Sequence, residues 1–120
     1  MRIAKKTGKQ KAYHYGIIAE WISMLLLTGK GYRLIAWRYK TPAGEIDIIA
    51  KRGKYLVFVE VKARKNHLYL YEAVSATQQD RIQNAAHYFI RLHPRYARCT
   101  ARFDLMMVHR LKPKHVAQAW

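Results

Sequence analysis

Negative charge is scarce in this sequence, which has 7 Asp and Glu residues against 23 Lys and Arg residues. The formal net charge of +16 over 120 residues predicts a strongly cationic surface. Such a surface favours a polyanionic partner. Nucleic acid, DNA above all, is the first expectation, because each neutralised phosphate releases condensed counterions. An anionic membrane and an acidic protein are the alternatives.

Cysteine and long apolar runs are also scarce. The single Cys99 excludes an intramolecular disulfide and a cysteine-rich zinc site, which indicates a reducing compartment. The most apolar stretch, residues 17–27, is interrupted by Glu20 and is shorter than the ~20 residues that a membrane span needs. We therefore expect a soluble, cytoplasmic protein without a membrane partner.

The length and composition predict one domain with a flexible arm. Half of the residues (51%) are hydrophobic, enough for a buried core. Residues 1–12 are basic and lack periodicity, which predicts a flexible arm before a single domain over 13–120.

Hydrophobic periodicity predicts an α/β fold in the order α-β-β-β-α-β, a mixed sheet flanked by helices. The first helix, over 13–28, is apolar nearly all round and is expected to be largely buried. Ser75 and Gln78 have the spacing of a capping box and start the second helix, over 76–92. Strands are predicted over 31–37, 45–50, 55–64 and 102–108, and the tail has no clear pattern.

Four charged residues are expected to share one face of the hairpin formed by the second and third strands. If residues 51–54 are its loop, Ala50 pairs with Tyr55, and Glu45 then lies opposite Glu60. Side chains alternate along a strand, so Asp47 and Lys62 would lie on the same face as that pair.

This face is a candidate metal site. Carboxylates that face each other repel unless a cation lies between them, and oxygen ligands select Mg²⁺ or Mn²⁺. Asp47 and Glu60 would hold the ion, the Val61 carbonyl would complete its shell, and Lys62 would orient the attacking water or stabilise charge on a phosphate. The alternative is a solvated polar face with surface ion pairs.

Glu20 is a second unusual carboxylate, because its neighbours on the helical wheel are apolar. Burying an unpaired charge is costly, so Glu20 needs a cationic partner: a metal ion, Lys62 or a nearby arginine. We interpret it as an outer metal ligand or a positioning group of the catalytic site.

Basic residues near this face are the candidate nucleic-acid contacts, although Arg64 has a plain surface arginine as its alternative. The six histidines have no metal-ligand spacing, and we interpret them as surface or nucleic-acid-facing groups. The candidate contacts are Arg64, Lys65, Arg38 and Lys40.

Several segments together resemble the YraN-like family of the restriction-endonuclease-like PD-(D/E)XK superfamily, which is related to the archaeal-type Holliday junction resolvases. They include GIIAE at 16–20, GEID at 44–47, FVEVKAR at 58–64 and RFD at 102–104. The resemblance implies a restriction-endonuclease-like core. It also implies catalytic roles for Asp47, Glu60 and Lys62, with Glu20 as an added helix carboxylate.

The chain departs from the family pattern at one position, because Gln78 stands where the family usually has a lysine. We expect this glutamine only to close the capping box with Ser75.

Three functions are compatible with these features. The first is a Mg²⁺-dependent DNA endonuclease that acts on branched or irregular DNA; cutting both strands would suit a symmetric homodimer. The second is a non-catalytic nucleic-acid-binding module that acts as a partner in DNA processing. The third is a basic protein bound to ribosomal RNA.

Overall fold

The protein is built around one mixed β-sheet with a long helix on each face. A computed structural model describes residues 8–64 and 74–120. The five strands lie in the order β1-β2-β3-β4-β5. Only the β3–β4 pair is parallel, and the chain crosses between them through α2. The elements are α1 (Gly8–Gly29), β1 (Arg33–Thr41), β2 (Gly44–Arg52), β3 (Tyr55–Ala63), α2 (Ala76–Leu92), the 3-10 turn Pro94–Tyr96, β4 (Thr100–His109) and β5 (Lys112–Val116).

The core has two layers, one on each face of the sheet. Val57 and Val59 of β3 face α1 and pack in one buried cluster, while Phe58 between them faces α2 in the other. This alternation is the period of two that strands impose. The predicted α/β class, with a mixed sheet flanked by helices, is confirmed. The α1 layer includes Ala19, Leu27 and Met106, and the α2 layer includes Ile82, Ala85, Ala86 and Phe89.

Helix α1 differs from its prediction in start and in burial. It begins at Gly8, so residues 8–12 of the predicted arm are helical, while residues 1–7 lie outside the described part of the chain. The expectation that α1 is largely buried was wrong. Trp21 is 57% exposed and Leu25 75% exposed, because only one side of the helix packs on the sheet. In the described ranges, no helix is long and apolar enough to cross a membrane.

Helix α2 matches its predicted bounds, Ala76–Leu92. Ser75 is the N-cap, and its side-chain oxygen accepts a hydrogen bond from the backbone N–H of Gln78 at 3.2 Å. This bond satisfies one of the free N–H groups at the helix start. The cap holds the first turn of α2 against the end of β3 where Glu60 lies.

The β2–β3 hairpin has a tighter turn than predicted. Its turn is Gly53-Lys54, and Arg52 pairs with Tyr55, so the expected pairing of Ala50 with Tyr55 was wrong by two residues. Gly53 has φ +58, the left-handed conformation that a two-residue turn requires.

The expected placement of Glu45 opposite Glu60 was wrong as well, because the β2–β3 ladder ends at Ile48 opposite Val59. The alternation that predicted one shared face also stops at Asp47, since Ile46 packs in the α2 layer and Ile48 in the α1 layer.

Strand β5 lies in the tail, where no pattern was visible. It pairs with β4, Leu105 opposite Val116, through a turn at Arg110 and Leu111 with φ +49 and +64. Glycine or asparagine is the usual signal for such a turn, and neither is present here. Pro113 also argues against a strand, but β5 is an edge strand, where proline is tolerated.

Asp104 on β4 anchors a buried polar network beneath β5. Its carboxylate accepts bonds from Arg102 Nη2 at 2.7 Å, His115 Nε2 at 2.6 Å and the Gln118 N–H at 2.9 Å. Burial raises the pKa of Asp104, but these bonds outweigh it and hold the pKa below the usual range. Pairing with an arginine was expected, whereas the surface interpretation of His115 was wrong, because its side chain is 4% exposed.

Candidate active site

The candidate site lies where β2 and β3 separate. Their ladder ends with Ile48 opposite Val59, and Asp47 is the next residue on β2. There the Asp47 carboxylate takes the place of a ladder carbonyl, because its Oδ2 accepts the backbone N–H of Val61 at 2.8 Å. The bond fixes Asp47 beside the segment that carries Glu60 and Lys62.

Gln78 connects the other two predicted catalytic residues. Its Nε2 donates to Glu60 Oε1 at 2.8 Å, and its Oε1 accepts a hydrogen bond from Lys62 Nζ at 3.1 Å. The expectation that this side chain only closes the capping box was wrong: Ser75 caps the Gln78 backbone, and the amide faces the site. The predicted set missed Gln78, whose one signal was its departure from the family's lysine.

Asp47 and Glu60 hold protons unusually tightly. Burial raises the pKa of Asp47 to about 6, against the Val61 N–H bond and with a further rise from the negative charge of Glu20. Burial and the charge of Asp47 raise the pKa of Glu60 to about 8, against the attraction of Lys62. The pair is therefore short of positive charge when both groups are ionised.

Glu20 enters the site from α1 and is 8% exposed. Arg38 donates to both of its oxygens, Nε to Oε1 at 2.8 Å and Nη2 to Oε2 at 3.2 Å. Trp37 Nε1 also donates to Oε1, at 2.7 Å. Among the partners left open for Glu20, the structure shows an arginine, Arg38, and the hydrogen bond with Glu20 raises the pKa of Arg38.

Strand β1 changes face at Arg38, which brings this arginine to Glu20. Trp37 pairs with Ile48, a member of the α1 layer, whereas the Tyr39 ring contacts Phe89 of α2 at 5.1 Å between centroids. Arg38 between them has φ +52, a left-handed conformation that costs a non-glycine residue about 1–3 kcal/mol. The simple alternation of side chains along β1 therefore ends at Trp37. The sequence prediction, 31–37, ended the strand at the same residue, whereas β1 continues to Thr41.

The predicted nucleic-acid contacts are dispersed. Lys40 is exposed on β1, and Arg38 is paired with Glu20. Arg64 follows β3, where its backbone N–H donates to the Val108 carbonyl at 3.0 Å and its Nη1 to the Ala63 carbonyl at 2.9 Å. Lys65 lies outside the described residues. Among the described residues of this set, Arg38 is the one seen bonded to a site carboxylate, that of Glu20.

The available carboxylate ligands suit Mg²⁺ better than a metal ion whose ligands all come from the protein. Within residues 8–64 and 74–120, no three His, Cys, Asp or Glu side chains are arranged to hold a metal. Mg²⁺ usually takes only one or two carboxylates and keeps several waters. Asp47 and Glu60, two half-buried carboxylates that repel each other, fit that requirement.

The sheet order and the helix on each face are consistent with a restriction-endonuclease-like core. Residues 19–108 match the model of the uncharacterised protein family UPF0102, and the chain belongs to that family. A UPF0102 protein of Parvibaculum lavamentivorans is 46% identical over 91% of this chain and 83% of its own. Another, from Chelativorans sp., is 46% identical over 92% of this chain and 90% of its own. The family resemblance expected from the sequence motifs is confirmed.

Proposed function

We propose that the protein is a Mg²⁺-dependent endonuclease that hydrolyses phosphodiester bonds in DNA. The observation that carries the proposal is the pair of half-buried carboxylates, Asp47 and Glu60, with raised pKa values beside Lys62. Buried like charges are costly to maintain without a cation. Strongly perturbed pKa values of this kind cluster at functional sites.

Asp47 and Glu60 would hold the ion, with the Val61 carbonyl as a further ligand. When bound, Mg²⁺ would supply Lewis-acid stabilisation of the charge that develops on the phosphate. Gln78 orients the Glu60 carboxylate and accepts a hydrogen bond from Lys62, so the Lys62 ammonium keeps donors for a phosphate oxygen or a water. The water oxygen would form a bond to phosphorus as the bond from phosphorus to one sugar oxygen breaks; the water would give up one proton to solvent, and the leaving sugar oxygen would take one up from solvent.

Glu20 is assigned a positioning role in this proposal. Both of its oxygens already accept hydrogen bonds from Arg38, and Trp37 adds a third. Its negative charge still reaches the site, because it raises the pKa of Asp47 and of Glu60. The charge of Glu20 would thus make cation binding by Asp47 and Glu60 more favourable.

DNA is the proposed substrate because of the net charge of +16. Long-range attraction to phosphates would steer the substrate to the protein and fade as salt rises. The same charge favours a second candidate, a non-catalytic module that binds nucleic acid in the same fold. That module needs no metal and no carboxylate pair.

A cleavage assay separates the two candidates. Labelled duplex, flap and four-way-junction DNA would be incubated with the protein in Mg²⁺ or Mn²⁺. We expect cleavage of at least one substrate, with a loss of at least about 100-fold in Asp47→Asn and Glu60→Gln. Asp80→Asn, which alters an exposed carboxylate of α2, is the matched control and should retain activity within a few-fold.

Two results would overturn the nuclease proposal. One is no cleavage of any substrate; the other is equal cleavage by the wild type and both site variants. Salt-sensitive DNA binding that persists in the Asp47 and Glu60 variants, without cleavage by any of them, would instead support the binding module.

A further inference from the structure

Two exposed tryptophans flank the candidate site. Trp21 on α1 is 57% exposed and Trp37 on β1 is 42% exposed. Their ring centroids lie 6.4 Å apart, with the planes tilted by 60°. Large aromatic side chains are usually buried, so two of them in contact on a surface indicate a binding surface.

The two tryptophans are next to site residues in sequence, and one of them is hydrogen-bonded to the site. Trp21 follows Glu20 directly on α1, and Trp37 precedes Arg38 directly on β1. Trp37 Nε1 donates to Glu20 Oε1 at 2.7 Å, which fixes the plane of its ring. A ligand on this surface would therefore lie beside the carboxylates.

Charge and ring chemistry identify the ligand. The Arg38 guanidinium, which is paired with Glu20, lies over the Trp37 ring, 5.3 Å from its centroid. In a chain of net charge +16, a second copy would be repelled electrostatically, whereas nucleic acid would be attracted. Bases stack on aromatic rings, but only bases that are not already stacked within a duplex have a free face.

We propose that Trp21 and Trp37 form a stacking surface for unpaired bases of DNA. This inference rests on the proposed function for its substrate: an endonuclease with this surface would act on DNA that has unpaired nucleotides next to the cleaved bond. Trp21 supplies the ring face on which a base would stack. Trp37 fixes the position of this surface relative to Glu20 through its hydrogen bond.

DNA binding without metal tests the proposal independently of cleavage. The affinity for a fluorescein-labelled oligo-dT and for a blunt duplex would be measured by anisotropy in EDTA. We expect Trp21→Ala to weaken oligo-dT binding at least about fivefold, with less than a twofold change for the duplex. Leu25→Ala removes an exposed apolar side chain one turn further along α1, and should change neither affinity.

Intrinsic fluorescence gives a second measurement. Stacking should quench the wild-type tryptophan emission when oligo-dT is added, and Trp21→Ala should lose most of that quenching. Trp37→Phe keeps a ring but loses the donor to Glu20, so it should retain oligo-dT binding within a few-fold while cleavage falls. Trp21→Leu, which keeps apolar area without an aromatic face, should behave like Trp21→Ala.

Three outcomes would overturn the stacking surface. They are unchanged oligo-dT binding in Trp21→Ala and Trp21→Leu, equal weakening for oligo-dT and duplex, and a change of the sedimenting species from dimer to monomer in Trp21→Ala. The last would assign the surface to contact between two copies. If cleavage is never observed but Trp21-dependent oligo-dT binding is, the stacking surface stands and the nuclease proposal fails.

Discussion

Gln78 Nε2 donates a hydrogen bond to Glu60 Oε1 at 2.8 Å, so a glutamine at the start of one helix orients the carboxylate of a distant strand. The same amide accepts from Lys62 Nζ at 3.1 Å. Because an amide has a donor end and an acceptor end, it joins an anion and a cation without adding charge. Gln78 is therefore the neutral link between two proposed catalytic groups.

Gln78→Ala should lower cleavage by about 10- to 100-fold, the range typical for groups that orient metal ligands. The backbone N–H that Ser75 caps remains, so the melting temperature should change little. Gln78→Glu should lose more activity, because it places a further negative charge beside Glu60. The matched control is Asn84→Ala on the exposed side of α2, and an equal loss of activity there would contradict the role of Gln78.

The raised pKa of Glu60 predicts that the free energy of unfolding falls as pH rises. A carboxyl whose folded pKa exceeds its unfolded value costs nothing at low pH, and its cost grows as pH rises through the window between the ordinary value of 4.5 and about 8. In EDTA, Glu60→Gln should match the wild type near pH 4 and melt at a higher temperature above pH 8. Identical pH profiles for both proteins would contradict the raised pKa.

Magnesium should remove much of the difference in melting temperature between the wild type and Glu60→Gln above pH 8. Mg²⁺ added above pH 8 should raise the melting temperature of the wild type, because a cation relieves the repulsion between Asp47 and Glu60. Glu60→Gln should gain less from the same addition. An equal rise in both proteins would mean that the ion stabilises some other part of the molecule.

The ion pair between Glu20 and Arg38 should be measurable by a double-mutant cycle. Arg38→Ala leaves a nearly buried carboxylate without its cation, and we expect a loss of about 2 kcal/mol in the free energy of unfolding. This is below the range for fully buried pairs, because 25% of the Arg38 side chain is exposed. Adding Glu20→Gln should recover part of the loss. Arg33→Ala, an exposed arginine of the same strand, should change stability little.

Asp104→Asn should destabilise the protein by about 2–4 kcal/mol near neutral pH, because Arg102 and His115 lose a buried anionic partner. The lowered pKa of Asp104 means that its contribution is fully present above the ordinary aspartate range and is lost as pH falls through the lowered value. The gap in unfolding free energy between wild type and variant, measured in urea, should therefore shrink below about pH 4. A gap that stays constant there would contradict the lowered pKa.

Local patterns predicted the elements that depend on local chemistry. The bounds of α2 followed from the Ser75 cap, the helical spacing of Ile82, Ala85 and Phe89, and Pro94 beyond the end. The central strand β3 followed from its run of β-branched and aromatic residues. These signals act within a few residues of each other, which is why sequence alone reveals them.

Features that depend on distant contacts were not predictable. The hairpin register depended on whether its turn has two or four residues, and Gly53 is compatible with both. The left-handed Arg38 gives no sequence signal, because its strain is offset by bonds to Glu20, eighteen residues earlier. Gln78 and Glu60 also lie eighteen residues apart, on a helix and a strand.

The structure shows how each predicted site residue is held. Asp47 bonds to the Val61 N–H, Glu60 and Lys62 share Gln78, and Glu20 binds Arg38 and Trp37. The catalytic role of this set is a prediction, and a binding module with the same fold is its alternative.

The location of a bound metal tests that role most directly. A crystal soaked with Mn²⁺ at pH 8 or above, where the pair can ionise, would be measured for anomalous scattering. We expect a peak contacted by Asp47 and Glu60 in the wild type and no peak there in Asp47→Asn. A wild-type map without a peak at this pair, or with one only elsewhere, would contradict a metal-dependent site.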